Sequence, residues 1–131
     1  MSLAVLLIED NRDDIELTER VFNHNHIRNP LDVCKTGGEG LTYLQSQQIP
    51  LPCLVLLDLG LPDISGLNVL KIMKSDQRTH SLCVFILTVD KSQETLLESM
   101  KLGADFFMRK TIDIAKLLDA ASRCGVMLEL E

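Results

Sequence analysis

Asp58 stands directly after the apolar run Cys53-Leu54-Val55-Leu56-Leu57 and directly before Leu59-Gly60-Leu61-Pro62-Asp63-Ile64-Ser65-Gly66. A carboxylate between a buried strand and a Gly/Pro-rich loop is presented at the carboxyl end of a sheet, where open α/β proteins hold their ligands. The first apolar run, Leu3-Ala4-Val5-Leu6-Leu7-Ile8, ends the same way in Glu9-Asp10, and two later runs end in Thr88 and in Arg109-Lys110. If these strands are neighbours, three acids, a hydroxyl and an ammonium meet at one edge. Crowded carboxylates repel, so they need a cation between them or a proton on one of them. Oxygen donors suit a hard ion such as Mg²⁺, bound through one or two carboxylates, phosphate oxygens and water, and Gly60 can add its carbonyl. Lys110 and Thr88 suit phosphoryl oxygens. That leaves Asp58 as a carboxylate nucleophile able to form an acyl phosphate.

Positioning these groups takes alternating elements. Strands are expected at 4–8, 31–35, 54–58, 83–88 and 105–109. The first helix carries Ile15, Leu17, Val21 and Phe22 as its apolar stripe, with Asp13 and Glu16 as a capping pair. The second spans 40–47, with Gly37-Gly38-Glu39-Gly40 leading into it, because that stretch lacks the spacing of a dinucleotide fingerprint. The third begins near Ser65, where Asp63 and Ser65 read as turn and cap. The fourth, 92–102, aligns Leu96, Leu97 and Met100 and stops at Gly103. The last follows Asp113. Strict alternation implies right-handed crossovers and a parallel sheet covered on both faces. Runs such as Val5–Ile8 are apolar without alternation, as doubly buried strands should be.

At 131 residues the chain is expected to be one domain, with a tail at 126–131 whose structure the sequence leaves open. No apolar run approaches the roughly 20 residues of a membrane span. A net charge of −6 with no Lys/Arg cluster argues against a nucleic-acid surface. Cys34, Cys53, Cys83 and Cys124 form no CxxC pair and read as free thiols of a reduced, cytoplasmic protein. His24 and His26 fall on different helix faces and make no metal site.

The acidic pair Glu9-Asp10, the stretch Asp58 to Gly66, Thr88 after Val84-Phe85-Ile86-Leu87, and Lys110, in this order on successive strand ends, resemble a response-regulator receiver domain of two-component signalling. Leu6-Leu7-Ile8-Glu9-Asp10-Asn11-Arg12-Asp13-Asp14 and Ile27-Arg28-Asn29 are most similar to stand-alone receivers that work beside phytochrome-type histidine kinases. The resemblance implies a flavodoxin-like (βα)5 fold, a doubly wound parallel sheet of order 2-1-3-4-5. It implies that Asp58 accepts a phosphoryl group from a kinase or phosphotransfer-protein phosphohistidine. It also implies that Asp10, Asp58 and the Gly60 carbonyl ligate Mg²⁺ (or Mn²⁺), with Glu9 acting through water. Lys110 would pair with Asp58 or its phosphate, Thr88 would move to the phosphoryl group, and Phe107 would be the aromatic that swings inward. The implied protein is no enzyme beyond slow self-phosphorylation and self-dephosphorylation. It signals to a downstream protein through the fourth helix, fifth strand and fifth helix (Leu96, Met100, Phe106, Leu118), a face the family also uses in dimers, and not through nucleic acid or membrane.

Three positions depart from the family pattern. Thr111 follows Lys110 where proline after a cis bond is usual, and a non-proline cis bond costs about 2.5–4 kcal/mol, which favours trans and a shifted Lys110 loop. Val89 follows Thr88 where a small residue is usual, so its branched side chain would crowd the phosphoryl site. Phe107 lacks the common tyrosine hydroxyl, which leaves only a steric switch, and plain packing explains it equally well. A receiver locked by Val89 and Thr111, working as a phosphorylation-independent interaction module, is the alternative. An Asp-nucleophile phosphatase would need a second Asp where Gly60 stands. In a flavin carrier, Glu9-Asp10 would repel the ligand phosphate.

Overall fold

The computed structural model describes residues 3–89 and 92–131. Its elements are β1 (Val5–Ile8), α1 (Arg12–His24), β2 (Leu31–Cys34), α2 (Gly37–Gln45), β3 (Leu54–Asp58), α3 (Gly66–Ser75), β4 (Cys83–Thr88), α4 (Gln93–Lys101), β5 (Phe106–Arg109) and α5 (Ile114–Arg123). The strands form one parallel sheet of order β2-β1-β3-β4-β5, the flavodoxin-like order that the resemblance implies.

The central strands are apolar throughout because they serve two cores. Val5, Leu7, Leu54, Leu56, Phe85 and Leu87 pack with Ile15 and Phe22 of α1 and Leu117, Ala120 and Ala121 of α5. Leu6, Ile8, Val55, Leu57, Val84 and Ile86 pack with Leu44 of α2 and Val69, Leu70 and Met73 of α3. Successive side chains point to opposite faces of a strand, so each residue type along β1, β3 and β4 is demanded by one layer or the other.

Local details differ from the sequence expectation. The cap of α1 is Asn11, whose side chain accepts from the Asp14 N–H at 3.0 Å, and Asp13 lies inside the first turn. An Asx cap needs its oxygen three residues before the N–H it receives, and Asn11 meets that condition first. Leu17 is exposed, and Thr18 takes the buried place beside Ile15, its hydroxyl donating to the Asp14 carbonyl at 2.9 Å. Helix α2 starts three residues earlier than expected, because Thr36 accepts from the Glu39 N–H at 3.0 Å while the Glu39 carboxylate accepts from the Lys35 N–H. The stripe expected on α4 is not buried: Leu97 is 58% and Met100 60% exposed, and Ser99 is the residue turned inward. Gly103 follows α4 with φ +103°, the left-handed turn a C′ glycine supplies.

The tail at 126–131 is ordered. It runs antiparallel to the segment before β2, with Ile27 opposite Leu130. The Glu129 carbonyl accepts from the Arg28 N–H at 2.7 Å, and the Glu131 N–H donates to the His26 carbonyl at 3.0 Å. Val126 and Leu128 pack on the α1/α5 side of the core.

Candidate functional site

β1 and β3 are adjacent, with Ile8 opposite Leu57, so Glu9 and Asp58 leave the sheet side by side. β4 pairs with β3, placing Leu87 opposite Asp58, and with β5, placing Thr88 opposite Arg109. The strand ends therefore deliver Glu9, Asp10, Asp58, Thr88 and Lys110 to one edge. Carboxylate oxygens of Glu9, Asp10 and Asp58 lie within 4.8 Å of one another. Three hard oxygen donors at that separation fit a small divalent cation such as Mg²⁺ or Mn²⁺.

Lys110 balances part of this charge. Its Nζ lies 2.7 Å from Glu9 Oε1, 3.0 Å from Asp14 Oδ2 and 3.1 Å from Asp58 Oδ1. Burial works to lower the pKa of this ammonium, but its bonds to Glu9 and Asp14 and the charge on Asp58 outweigh that and raise it. Glu9 is 1% exposed. Burial, with smaller contributions from Asp58, pushes its carboxyl up to about 7 although Lys110 and the Asn11 N–H pull the other way. The shared ammonium is one remedy for crowded acids here, and the burial of Glu9 favours a proton as the other.

Asp14 is the member of this cluster that the sequence did not reveal. On sequence it is one of two acids in the first turn of a helix, a place explained by the helix dipole alone. The cap at Asn11 puts residue 14 at the third helical position, from which its carboxylate reaches Lys110. A correctly placed cap was the only available signal.

Gly60 borders Asp58: a Cβ built on it would meet Asp58 Oδ2 at 3.9 Å, an ordinary contact. Gly66 is held more tightly, since a Cβ there would lie 2.4 Å from the Asp58 carbonyl and 2.6 Å from the Leu59 Cα. The Gly66 N–H donates to the Leu59 carbonyl at 3.0 Å, so the loop after Asp58 folds back on itself at a point where no side chain fits. Ser65 is the cap residue expected, whereas Asp63, expected as a turn residue, ties this loop to the start of α2. The Asp63 carboxylate accepts from the N–H groups of Gly37 and Gly38, both at 2.8 Å, and these bonds, Gly38 first, lower its pKa. Ser65 caps α3 by accepting from the Asn68 N–H.

Thr88 is buried at the end of β4. A cleft of about 580 Å³ opens beside it, lined by Thr88, Val89, Leu96, Phe107, Lys110 and Thr111 among others. Val89, expected to crowd the phosphoryl site, is 75% exposed and stands at the rim of this cleft. The Lys110–Thr111 bond is cis, not trans as the cost of such a bond had favoured. Phe107 is half-buried, packed on the α2/α3 side of the core and bordering the cleft.

At the opposite edge, Cys83, Asp105 and Cys124 approach one another. The Cys83 thiol donates to the Cys124 carbonyl at 3.5 Å, Asp105 accepts from the Val84 N–H at 2.8 Å, and burial together with Cys124 pushes the Cys83 thiol up to about 12. Cys83 and Cys124 pack against the α1/α5 side of the core. None of the four cysteines is in a disulfide, and no helix among the described residues is long and apolar enough to cross a membrane.

Residues 5–122 match the family model described as the response regulator receiver domain. The response regulator Rcp1 of Synechocystis sp. is 28% identical over 87% of this chain and 80% of its own length. Among solved structures, the bacteriophytochrome response regulator AtBRR is 31% identical with a TM-score of 0.88, covering 100% of this chain and 98% of that one. The Mn²⁺-bound form of Rcp1 is 27% identical with a TM-score of 0.78, covering 89% of this chain and 87% of that one.

Proposed function

This chain belongs to the response regulator receiver family, and we propose that Asp58 is its phosphoacceptor, with Lys110 and Thr88 holding the transferred group. The observation that carries this reading is the 3.1 Å contact between Lys110 Nζ and Asp58 Oδ1 inside a cluster of three further acids. An ammonium already paired with the nucleophile stands where negative charge arrives.

A carboxylate oxygen of Asp58 forms the bond to phosphorus as the bond from phosphorus to the donor imidazole nitrogen breaks. Lys110 follows the charge onto the phosphoryl oxygens, and the Thr88 hydroxyl donates to one of them. Gly66 holds the loop that aims Asp58. Glu9, Asp10, Asp58 and the Gly60 carbonyl are the groups that would hold Mg²⁺ or Mn²⁺. When bound, such a cation neutralises charge developing on the phosphoryl oxygens. Catalysis of this kind is positioning and neutralisation, so the protein acts as an acceptor that loses its phosphate slowly and not as an enzyme with steady turnover.

Phe107 borders the cleft beside Thr88 and is the side chain that would fill it once Thr88 moves. The exposed Leu97 and Met100 then offer an apolar face to a downstream partner or a second copy. Similarity to AtBRR makes a phytochrome-type histidine kinase the first phosphodonor to try. The direct test is incubation with acetyl phosphate and Mg²⁺. Wild type should gain the mass of one phosphoryl group, and Asp58→Asn should gain none. Wild-type protein that stays unmodified would remove Asp58 from this role.

A further inference from the structure

We propose that Asp14 is a positioning residue that keeps the Lys110 ammonium in the pocket while a divalent cation occupies the acids that otherwise hold it. The inference rests on the reading of the pocket as a cation-dependent phosphoacceptor site. Lys110 has three carboxylate partners within 3.1 Å. Two of them, Glu9 and Asp58, belong to the cluster whose oxygens converge within 4.8 Å, and Asp14 does not. A cation at that cluster draws on two of the carboxylates that bind Lys110 and repels the ammonium directly. Asp14 is then the partner the cation does not compete for.

The structure holds Asp14 in readiness for this. Its N–H is fixed by Asn11 Oδ1 at 3.0 Å and its carbonyl by the Thr18 hydroxyl at 2.9 Å. Its place in the first turn of α1 stabilises a negative charge. Its side chain is 26% exposed and reaches the Lys110 ammonium at 3.0 Å from the rim of the pocket. Asp14 touches neither phosphorus nor cation in this scheme and acts through Lys110 alone.

Two measurements decide it. With ¹⁵N-labelled lysine, the Lys110 ammonium of wild type should keep a resolved signal, distinct from solvent-exposed lysines, at saturating Mg²⁺. In Asp14→Asn and Asp14→Ala that signal should persist without Mg²⁺ and collapse toward the exposed lysines when Mg²⁺ is added, whereas Asp14→Glu should retain it. Acetyl phosphate modification at saturating Mg²⁺ should slow about tenfold in the Asn and Ala variants, the scale on which supporting residues around metal sites act, and recover in the Glu variant. An ammonium signal that survives Mg²⁺ in Asp14→Asn, or an unchanged modification rate, would overturn the assignment. The ammonium signal needs no phosphoryl transfer, so a wild-type protein that accepts no phosphate would sink the underlying reading while leaving this assignment to be judged by the spectrum.

Discussion

Glu9 governs how the metal-free pocket responds to pH. Its carboxyl titrates near 4.5 when unperturbed and at about 7 in the fold, chiefly because it is buried. Between those values the folded protein keeps a proton that the unfolded chain has released. Stability from this group is therefore full at the acid end of the window and is lost as pH rises toward 7. Glu9→Gln has no proton to lose. In EDTA, urea denaturation of wild type should show stability falling from pH 5 to 7, and the variant should show a flatter profile; parallel profiles would mean that Glu9 ionises normally. Glu9, Asp10, Asp58 and Lys110 were legible in sequence because each stands at or within two residues of a strand's carboxyl end, and strand order brings those ends together. Asp14 was not, since a helical acid reveals its partner only when the helix start is known to the residue.

Helix starts set the loops that carry the pocket, and here sequence reading was weakest. Asn11 and Asp13 are both competent cap residues by type, and the choice falls to Asn11, whose side chain accepts from the Asp14 N–H, as Thr36 accepts from the Glu39 N–H before α2. The same limit applies to α4: Leu96, Leu97 and Met100 have helical spacing, yet the face turned inward is marked by Ser99, which satisfies its own hydroxyl on the Thr95 and Leu96 carbonyls at 3.0 Å. By contrast, Gly66 is fixed by backbone. Adding one methyl there meets the Asp58 carbonyl and the Leu59 Cα, neither of which can rotate away. Gly66→Ala should lower stability by about 1–3 kcal/mol, the range of overpacked sites, and should weaken Mg²⁺ binding because the loop after Asp58 must shift. Urea denaturation and calorimetric Mg²⁺ titration read the two effects. Wild-type values in both would show that the loop can yield.

The two-sided core and the parallel sheet were readable from unbroken apolar runs in strict alternation with helices, whereas the strand order came only from the resemblance to the receiver family. The tail was not readable, because its partners lie about a hundred positions away: the Glu129 N–H donates to Asn29 Oδ1 at 2.7 Å, and Asn29 in turn donates to the Leu3 carbonyl. Removing residues 126–131 takes away the tail's bonds to Ala121, His26, Arg28 and Asn29 and the packing of Val126 and Leu128. A cost of about 2–4 kcal/mol follows from two partly buried apolar side chains and four hydrogen bonds. Thermal unfolding of the shortened chain should drop by several degrees while acetyl phosphate labelling of Asp58 persists. An unchanged midpoint would show the tail to be a passive appendage.

The strap also fixes which way the molecule faces. Its contacts with His26, Arg28 and Asn29 lie before β2, at the amino ends of the parallel strands, whereas Glu9, Asp58 and Lys110 crown the carboxyl ends. A sensor chip or fluorophore coupled through Glu131 would therefore sit at the far pole from the acids, leaving them open to an approaching kinase.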